Sequence, residues 1–220
     1  MTKSDSHDWK KLKRVLGYIK STLGLKLRLH CGDGVPVIKW WIDALYAVHH
    51  DMKSQTGAVM SLGSGSVFSK STKQKINTKS STESELIAAS DMSGQVMWTV
   101  YFLKSQGYDI QRNIVYQDNQ SAILLEKNRQ LSSSQRTRHI NICYFFIRDR
   151  VENNDMEIVY CPTEEMLGDF FTKPLQGKKF LKFRKLIMGC RDDAIQEGIG
   201  DDRGRDPGGN DTHLQKDSEF

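Results

Sequence analysis

Trp9, Leu12, Leu16 and Ile19 recur at helical spacing with Lys10, Lys11, Lys13 and Arg14 on the other faces, which predicts an amphipathic helix over residues 8–20. Residues 37–43 form a dense apolar run containing Trp40 and Trp41. Residues 57–62 and 66–71 follow at short intervals with glycine between them, so the three stretches read as hairpin-connected strands. Ser80, Ser81 and Thr82 supply N-cap chemistry for a helix whose apolar stripe is Leu86, Ala89, Ser93, Val96, Val100 and Leu103, ending at Gly107. Ile114, Val115 and Tyr116 predict a short parallel strand ending at Asp118, followed by a helical stretch over 121–126 and a polar loop over 128–135. Residues 138–151 read as a helix, 157–160 as a strand, and 164–171 as a helix whose continuation is blocked by Pro174. The predicted order, βββαβαβα, is that of an α/β protein with a mixed five-stranded sheet flanked by helices.

Length and composition keep this to one main domain. A chain of 220 residues with 38% hydrophobic content fills one core with room for appendages. No stretch approaches the roughly 18 apolar residues of a membrane span, and no charged segment leads into an apolar run, so a soluble, unsecreted protein without a membrane partner is expected. The four cysteines, Cys31, Cys143, Cys161 and Cys190, are scattered without zinc spacing and read as reduced thiols.

Charge is unevenly spread. Residues 191–220 hold nine acids and four bases, a net of −5, so the chain's overall +5 leaves +10 on residues 1–190. Such a balance suits a polyanionic partner, although a solubilising surface accounts for it equally well. The acidic tail from residue 190 is rich in Gly, Asp and Arg with almost no large apolar side chains, which predicts disorder over 190–220.

The candidate chemistry lies in four acids. Asp43 ends the first strand, Glu85 lies in the first turn of a helix, Asp118 ends a later strand, and Asp169 sits in the last helix. Hydrolysis of a phosphodiester with two metal ions about 3.5–4 Å apart needs converging oxygen ligands of this kind, and strand ends of an open sheet are where they gather. Each acid has a plainer explanation. A lone acid at a strand end is ordinarily a solvated turn residue, and Asp118-Asn119 suits a turn. Glu85 is equally accounted for by a capping box with Thr82, as Glu83 is with Ser80, and Asp169 by an exposed charge.

Longer motifs narrow the choice. The segments Trp41-Ile-Asp-Ala-Leu-Tyr-Ala, Lys53-Ser-Gln-Thr-Gly, Ser80-Ser-Thr-Glu-Ser-Glu-Leu, Tyr116-Gln-Asp-Asn-Gln-Ser-Ala, Arg136-Thr-Arg-His-Ile and Asp169-Phe-Phe-Thr-Lys-Pro-Leu resemble the ribonuclease H region of copia-type retrotransposon Pol polyproteins. The resemblance runs from about Trp9 to Gly189. It implies a ribonuclease H-like domain over 33–189, preceded over 1–32 by a helical connection similar to the end of a reverse transcriptase region. It also implies cleavage of the RNA strand of an RNA–DNA hybrid by two Mg²⁺ or Mn²⁺ ions held by Asp43, Glu85, Asp118 and Asp169. A reverse transcriptase domain encoded upstream is the implied neighbour, and cytoplasmic retrotransposon particles, or the nucleus, the implied location.

A hybrid must be recognised by shape and by 2′-hydroxyls, because the deep major groove of an A-like duplex excludes side chains. Lys73, Lys79, Arg136, Arg138 and His139 are the expected substrate contacts, against the alternative of a solvated basic face and a structural histidine. The chain departs from the family pattern at Leu45 and Tyr46, where an acid and a tryptophan are common, and at Asn141, where an aspartate is common. These departures keep open the alternative of a non-catalytic nucleic-acid-binding remnant. An integrase-type core, whose acids run Asp, Asp, Glu, is disfavoured because Glu comes second here.

Overall fold

The computed structural model describes residues 5–31, 37–121, 123 and 138–190; of residues 138 and 139 it describes the backbone alone. The elements are α1 (Ser6–Ser21), β1 (Val37–Leu45), β2 (Gln55–Ser61), β3 (Phe68–Lys73), α2 (Ser81–Ser105), β4 (Arg112–Gln117), α3 (Arg138–Glu152), β5 (Glu157–Tyr160), α4 (Asp169–Thr172) and α5 (Gly177–Ile187). The strands form one sheet in the order β3-β2-β1-β4-β5. The first three strands are antiparallel neighbours, while β4 runs parallel to both β1 and β5, which makes the five-stranded sheet mixed as expected. The tail from residue 191, the 128–135 loop and most of the expected 121–126 helix lie outside the described residues.

Alternation along β1 divides the sheet's two faces. Ile38, Trp40, Ile42 and Ala44 point to one side and join the main core with Leu86, Met92, Val96 and Val100 of α2 and Tyr144 and Ile147 of α3. The expected α2 stripe is buried throughout, but Ile87, Ala88, Met97 and Thr99 are buried as well. A helix covered by the sheet on one side and by α3 on another has little need of a polar face. Ser80 caps it by accepting from the Glu83 N–H at 3.1 Å, and Gly107, at φ +88°, turns the chain out of it.

The opposite face is smaller. Val59, Leu167 and Phe183 are buried there with Trp41, Phe170, Phe171, Leu175 and Ile187 packed around them. Trp41 and Tyr116, paired across β1 and β4, stack on this side with ring centroids 5.2 Å apart. Two differences from the sequence reading fall here. The helix expected over 164–171 is a pair of turns leading into the short α4, and a further amphipathic helix, α5, follows Pro174. The α1 helix forms as expected, closed at its start by a reciprocal Asp5–Asp8 capping box, but none of its apolar stripe is buried.

Among the described residues no helix is long and apolar enough to cross a membrane. None of the four cysteines forms a disulfide.

Candidate metal centre

Strand register brings the first two acids together. Trp41 pairs with Tyr116 on the parallel strands β1 and β4, so two residues further on Asp43, still within β1, and Asp118, just past the end of β4, come side by side. Alternation puts both on the face marked by the Trp41–Tyr116 stack. The third acid arrives from α4, and its approach depends on missing side chains. Gly57, opposite Asp43 on β2, lies beneath the carbonyl of Gly168, and Gly168 in turn lies against Asp43. A Cβ on Gly168 would fall 2.8 Å from that of Asp43. Asp169 follows at once and is thereby held beside Asp43.

Asp43, Asp118 and Asp169 each offer a carboxylate oxygen, and these three atoms lie within 4.8 Å of one another. Glu85 reaches over from the opposite face. It is 4% exposed, and its Oε1 accepts from the Ala44 N–H at 3.2 Å, next to Asp43. Its Oε2 is buried with no hydrogen-bond partner. An orphaned carboxylate oxygen beside three gathered carboxylates is a costly arrangement unless something positive completes it.

The remaining contacts are supplied by groups the sequence reading did not single out. The Thr172 hydroxyl donates to Asp43 Oδ2, and the Thr163 hydroxyl donates to Asp118 Oδ2 at 3.0 Å. The Lys173 ammonium donates to Asp169 Oδ1 and stands 3.8 Å from Asp43 Oδ1, while Lys179 donates to Asp169 Oδ2 at 3.0 Å. Thr172 and Lys173 follow Asp169 by three and four residues, the spacing at which helical side chains meet, so the Asp169 motif itself carried that signal.

Electrostatics record the crowding. Burial pushes the Asp43 carboxyl up to about 6 against the pull of Lys173 and Thr172, with Asp169 and Asp118 adding to the rise. Burial, then Asp43 and Asp118, raise Glu85 well above the usual carboxylate range. Burial alone would lower the Lys173 ammonium, but Asp43, the hydrogen bond to Asp169 and the charges of Asp169 and Asp118 outweigh it and raise the pKa.

The donor set suits a hard divalent cation. All four acids present oxygen, the preference of Mg²⁺ and Mn²⁺. Ligand oxygens about 2.1 Å from an octahedral ion stand about 3.0 Å apart when adjacent and about 4.2 Å apart when opposite, so a cluster within 4.8 Å needs only a slight contraction. Position 45 lies outside this cluster, so the gathered acids do not depend on an acid at Leu45.

The expected substrate contacts are less gathered. Lys73 is paired with Asp51 at 2.7 Å. Lys79 is exposed ahead of α2, where its backbone N–H donates to Glu83 Oε2 at 2.7 Å. Arg138 and His139 open α3, but their side chains and the whole of Arg136 lie outside the described residues.

No family model matches the chain. Among curated proteins it is 33% identical over 180 residues to the retrovirus-related Pol polyprotein from transposon TNT 1-94 of Nicotiana tabacum, covering 81% of this chain and 13% of that polyprotein. It is 32% identical over 186 residues to the Pol polyprotein from transposon RE2 of Arabidopsis thaliana, covering 84% of this chain and 12% of the relative. The chain thus spans about an eighth of the length of the curated relatives it matches. Among solved structures it is similar to ribonuclease H1 of Halobacterium salinarum, at 13% identity over 58% of this chain and 86% of that one, with a TM-score of 0.38. An LC11 ribonuclease H1 solved with an RNA/DNA hybrid has a TM-score of 0.40 at 12% identity, with the same coverages. Overlays this loose add nothing to what the strand order and the sequence relatives carry. By that sequence relationship, the chain belongs with the copia-type retrotransposon Pol polyproteins, as the homologue of one segment of them.

Proposed function

We propose that this segment is a ribonuclease H, hydrolysing the RNA strand of an RNA–DNA hybrid during reverse transcription of a copia-type element. The observation that carries the reading is the meeting of Asp43, Asp118 and Asp169 within 4.8 Å, with the unpartnered Glu85 Oε2 buried beside Asp43. Lone turn acids or capping residues have no reason to converge from two strand ends and two helices.

Asp43, Glu85, Asp118 and Asp169 would hold two Mg²⁺ or Mn²⁺ ions. Bound there, such ions supply a water nucleophile at neutral pH and offset charge on the leaving oxygen. The protein's own contribution is orientation. The Thr172 hydroxyl fixes Asp43, the Ala44 N–H fixes Glu85, and the Thr163 hydroxyl fixes Asp118, so little reorganisation is required when substrate arrives. Asp118 is the least buried of the three clustered aspartates and so the most open to an approaching phosphate.

The hybrid would be held by its backbone and 2′-hydroxyls, with weak sequence preference. Exposed Lys70, Lys75 and Lys79 are available as phosphate contacts, whereas Lys73 must first leave Asp51. A reverse transcriptase segment of the same polyprotein is the natural neighbour, and cytoplasmic particles the natural setting.

The test is cleavage of an end-labelled RNA–DNA hybrid by the full chain with Mg²⁺, with Mn²⁺ and with chelator, beside all-DNA and all-RNA duplexes. Metal-dependent cutting of the RNA strand of the hybrid alone is expected, together with its loss in Asp118→Asn, which removes a charged ligand at nearly constant volume. Full activity in that variant, or none in the parent chain, overturns the reading; the second result would identify a non-catalytic remnant.

A further inference from the structure

The α4 segment carries both an acid of the cluster and a cation aimed back into it. Lys173 donates to Asp169 Oδ1 and lies 3.8 Å from Asp43 Oδ1, so its ammonium stands between two of the three gathered carboxylates. Its side chain is 31% exposed, whereas those of Asp43 and Asp169 are 2% and 1% exposed. The lysine therefore enters the cluster from its solvent side.

Lys179 also binds Asp169, but it is fastened differently. Its ammonium donates to the Thr163 carbonyl at 3.0 Å as well as to Asp169, lies over the Phe183 ring at 5.3 Å, and sits on a separate helix. Among the described contacts, Lys173 has no partner for its ammonium except the two carboxylates. A compact charge on a four-carbon stem, held only by the groups a divalent ion would ligate, can be displaced without breaking anything else. An ammonium and a divalent ion cannot share this space, because their repulsion at such distances in a partly buried site is large.

We propose that Lys173 is a built-in counter-cation. It occupies the place between Asp43 and Asp169 when no divalent ion is bound and swings to solvent when one binds, so that it sets how much metal the site requires. This rests on the metal-centre reading above. The ammonium offsets repulsion among the acids in the metal-free protein and competes directly with the incoming ion. A lysine that merely ties α4 to the sheet would stay in place whether or not metal is present.

Two measurements on the full chain decide it. In calorimetric titrations with Mn²⁺ at fixed pH and ionic strength, Lys173→Met is expected to bind about tenfold more tightly than the parent chain, while Lys173→Arg is not. In the unsubstituted protein, acetylation of lysines by a water-soluble reagent is read out by mass spectrometry with and without Mn²⁺. Lys173 is expected to become more reactive on loading, and Lys179 to change little. Should Lys173→Met fail to fold, the acetylation pattern decides alone. Equal or weaker Mn²⁺ binding by folded Lys173→Met, or unchanged protection of Lys173, overturns the counter-cation while leaving the metal centre standing. Absence of Mn²⁺ binding in both parent and variant overturns the metal centre and the counter-cation together.

Discussion

A methyl group added to Gly57 would fall 2.6 Å from the carbonyl oxygen of Gly168, so the middle of β2 and the start of α4 are in direct backbone contact. The same methyl would meet the Thr172 side chain at 2.7 Å. None of these neighbours is the tip of a flexible side chain reaching in from afar, and α4 itself would have to lift. Because α4 carries Asp169 and Thr172 and runs directly into Lys173, lifting it disturbs three contacts to the cluster at once. Gly57→Ala is expected to cost about 1–3 kcal/mol of stability, the usual range for overpacking, and to weaken Mn²⁺ binding. Thermal melts and calorimetry check both. Unchanged metal affinity would mean that α4 is free to shift without moving Asp169.

Burial of Asp43 predicts an unusual pH dependence in the metal-free protein. Its carboxyl is raised from 3.8 to about 6 in the folded chain, so between these values the folded state binds more protons than the unfolded state. Stability contributed by this group is therefore present at low pH and declines as pH rises from 3.8 towards about 6, by on the order of 3 kcal/mol in total. Glu85 is raised in the same direction and extends the effect upward in pH. Asp43→Asn, which removes the ionising group, is expected to raise the metal-free melting temperature at about pH 8 by several degrees and to abolish part of the decline. Metal binding should run the other way and strengthen as pH climbs past about 6, because the ligand must be deprotonated. Melts from about pH 4 to pH 9, with and without Mn²⁺, check both signs.

Thr172 has a single hydroxyl aimed at Asp43 Oδ2. Thr172→Val keeps the shape and removes the donor, leaving a buried carboxylate oxygen short of a partner. The Asp43 carboxyl is expected to rise further, and the pH at which Mn²⁺ binding is half developed to rise with it. Thr172→Ser should restore the parent profile, which a purely steric role for the side chain would not allow.

The parts of this molecule that sequence made legible are those fixed by short-range pattern. The α2 stripe, the paired β runs and the strand ending at Asp118 follow from periodicity, because burial on one side leaves a regular mark. The parts that were hidden depend on contacts between distant segments. Thr172 and Asp43 are 129 residues apart, and nothing local in either segment signals that one holds the other. The helix expected over 164–171 shrank because Gly168 serves a close approach to Asp43 rather than a helix interior. The α5 helix was obscured by its bases, Lys178, Lys179, Lys182, Arg184 and Lys185, although Phe180, Phe183 and Ile187 already stood at helical spacing. The apolar stripe of α1 was legible, but its exposure was not, since periodicity reports a face and not what covers it.

Glu83 and Glu85 share one motif, and helical phase separates them. At about 100° per residue, Glu85 lies roughly 50° from the centre of the α2 stripe and Glu83 roughly 110° from it. The structure places them accordingly. Glu85 is 4% exposed with Oε1 on the Ala44 N–H and Oε2 unpartnered, whereas Glu83 lies in the first turn and accepts from the Lys79 N–H at 2.7 Å. Glu83 thus serves the helix start, where a negative charge contributes about 0.3–1 kcal/mol through the helix dipole. Glu85 lies beside the cluster, where its burial and the charges of Asp43 and Asp118 oppose its ionisation. Glu85→Gln is expected to lower the rate of hybrid cleavage by at least about a hundredfold at saturating Mg²⁺, and Glu83→Gln by less than about tenfold. The two variants should also part in stability: Glu85→Gln removes an acid whose burial opposes its ionisation and raises the metal-free melting temperature at about pH 8, while Glu83→Gln lowers it slightly. Rates and melts measured side by side check the pair, and a larger cleavage defect in Glu83→Gln would overturn both the helical phase and the metal centre built upon it.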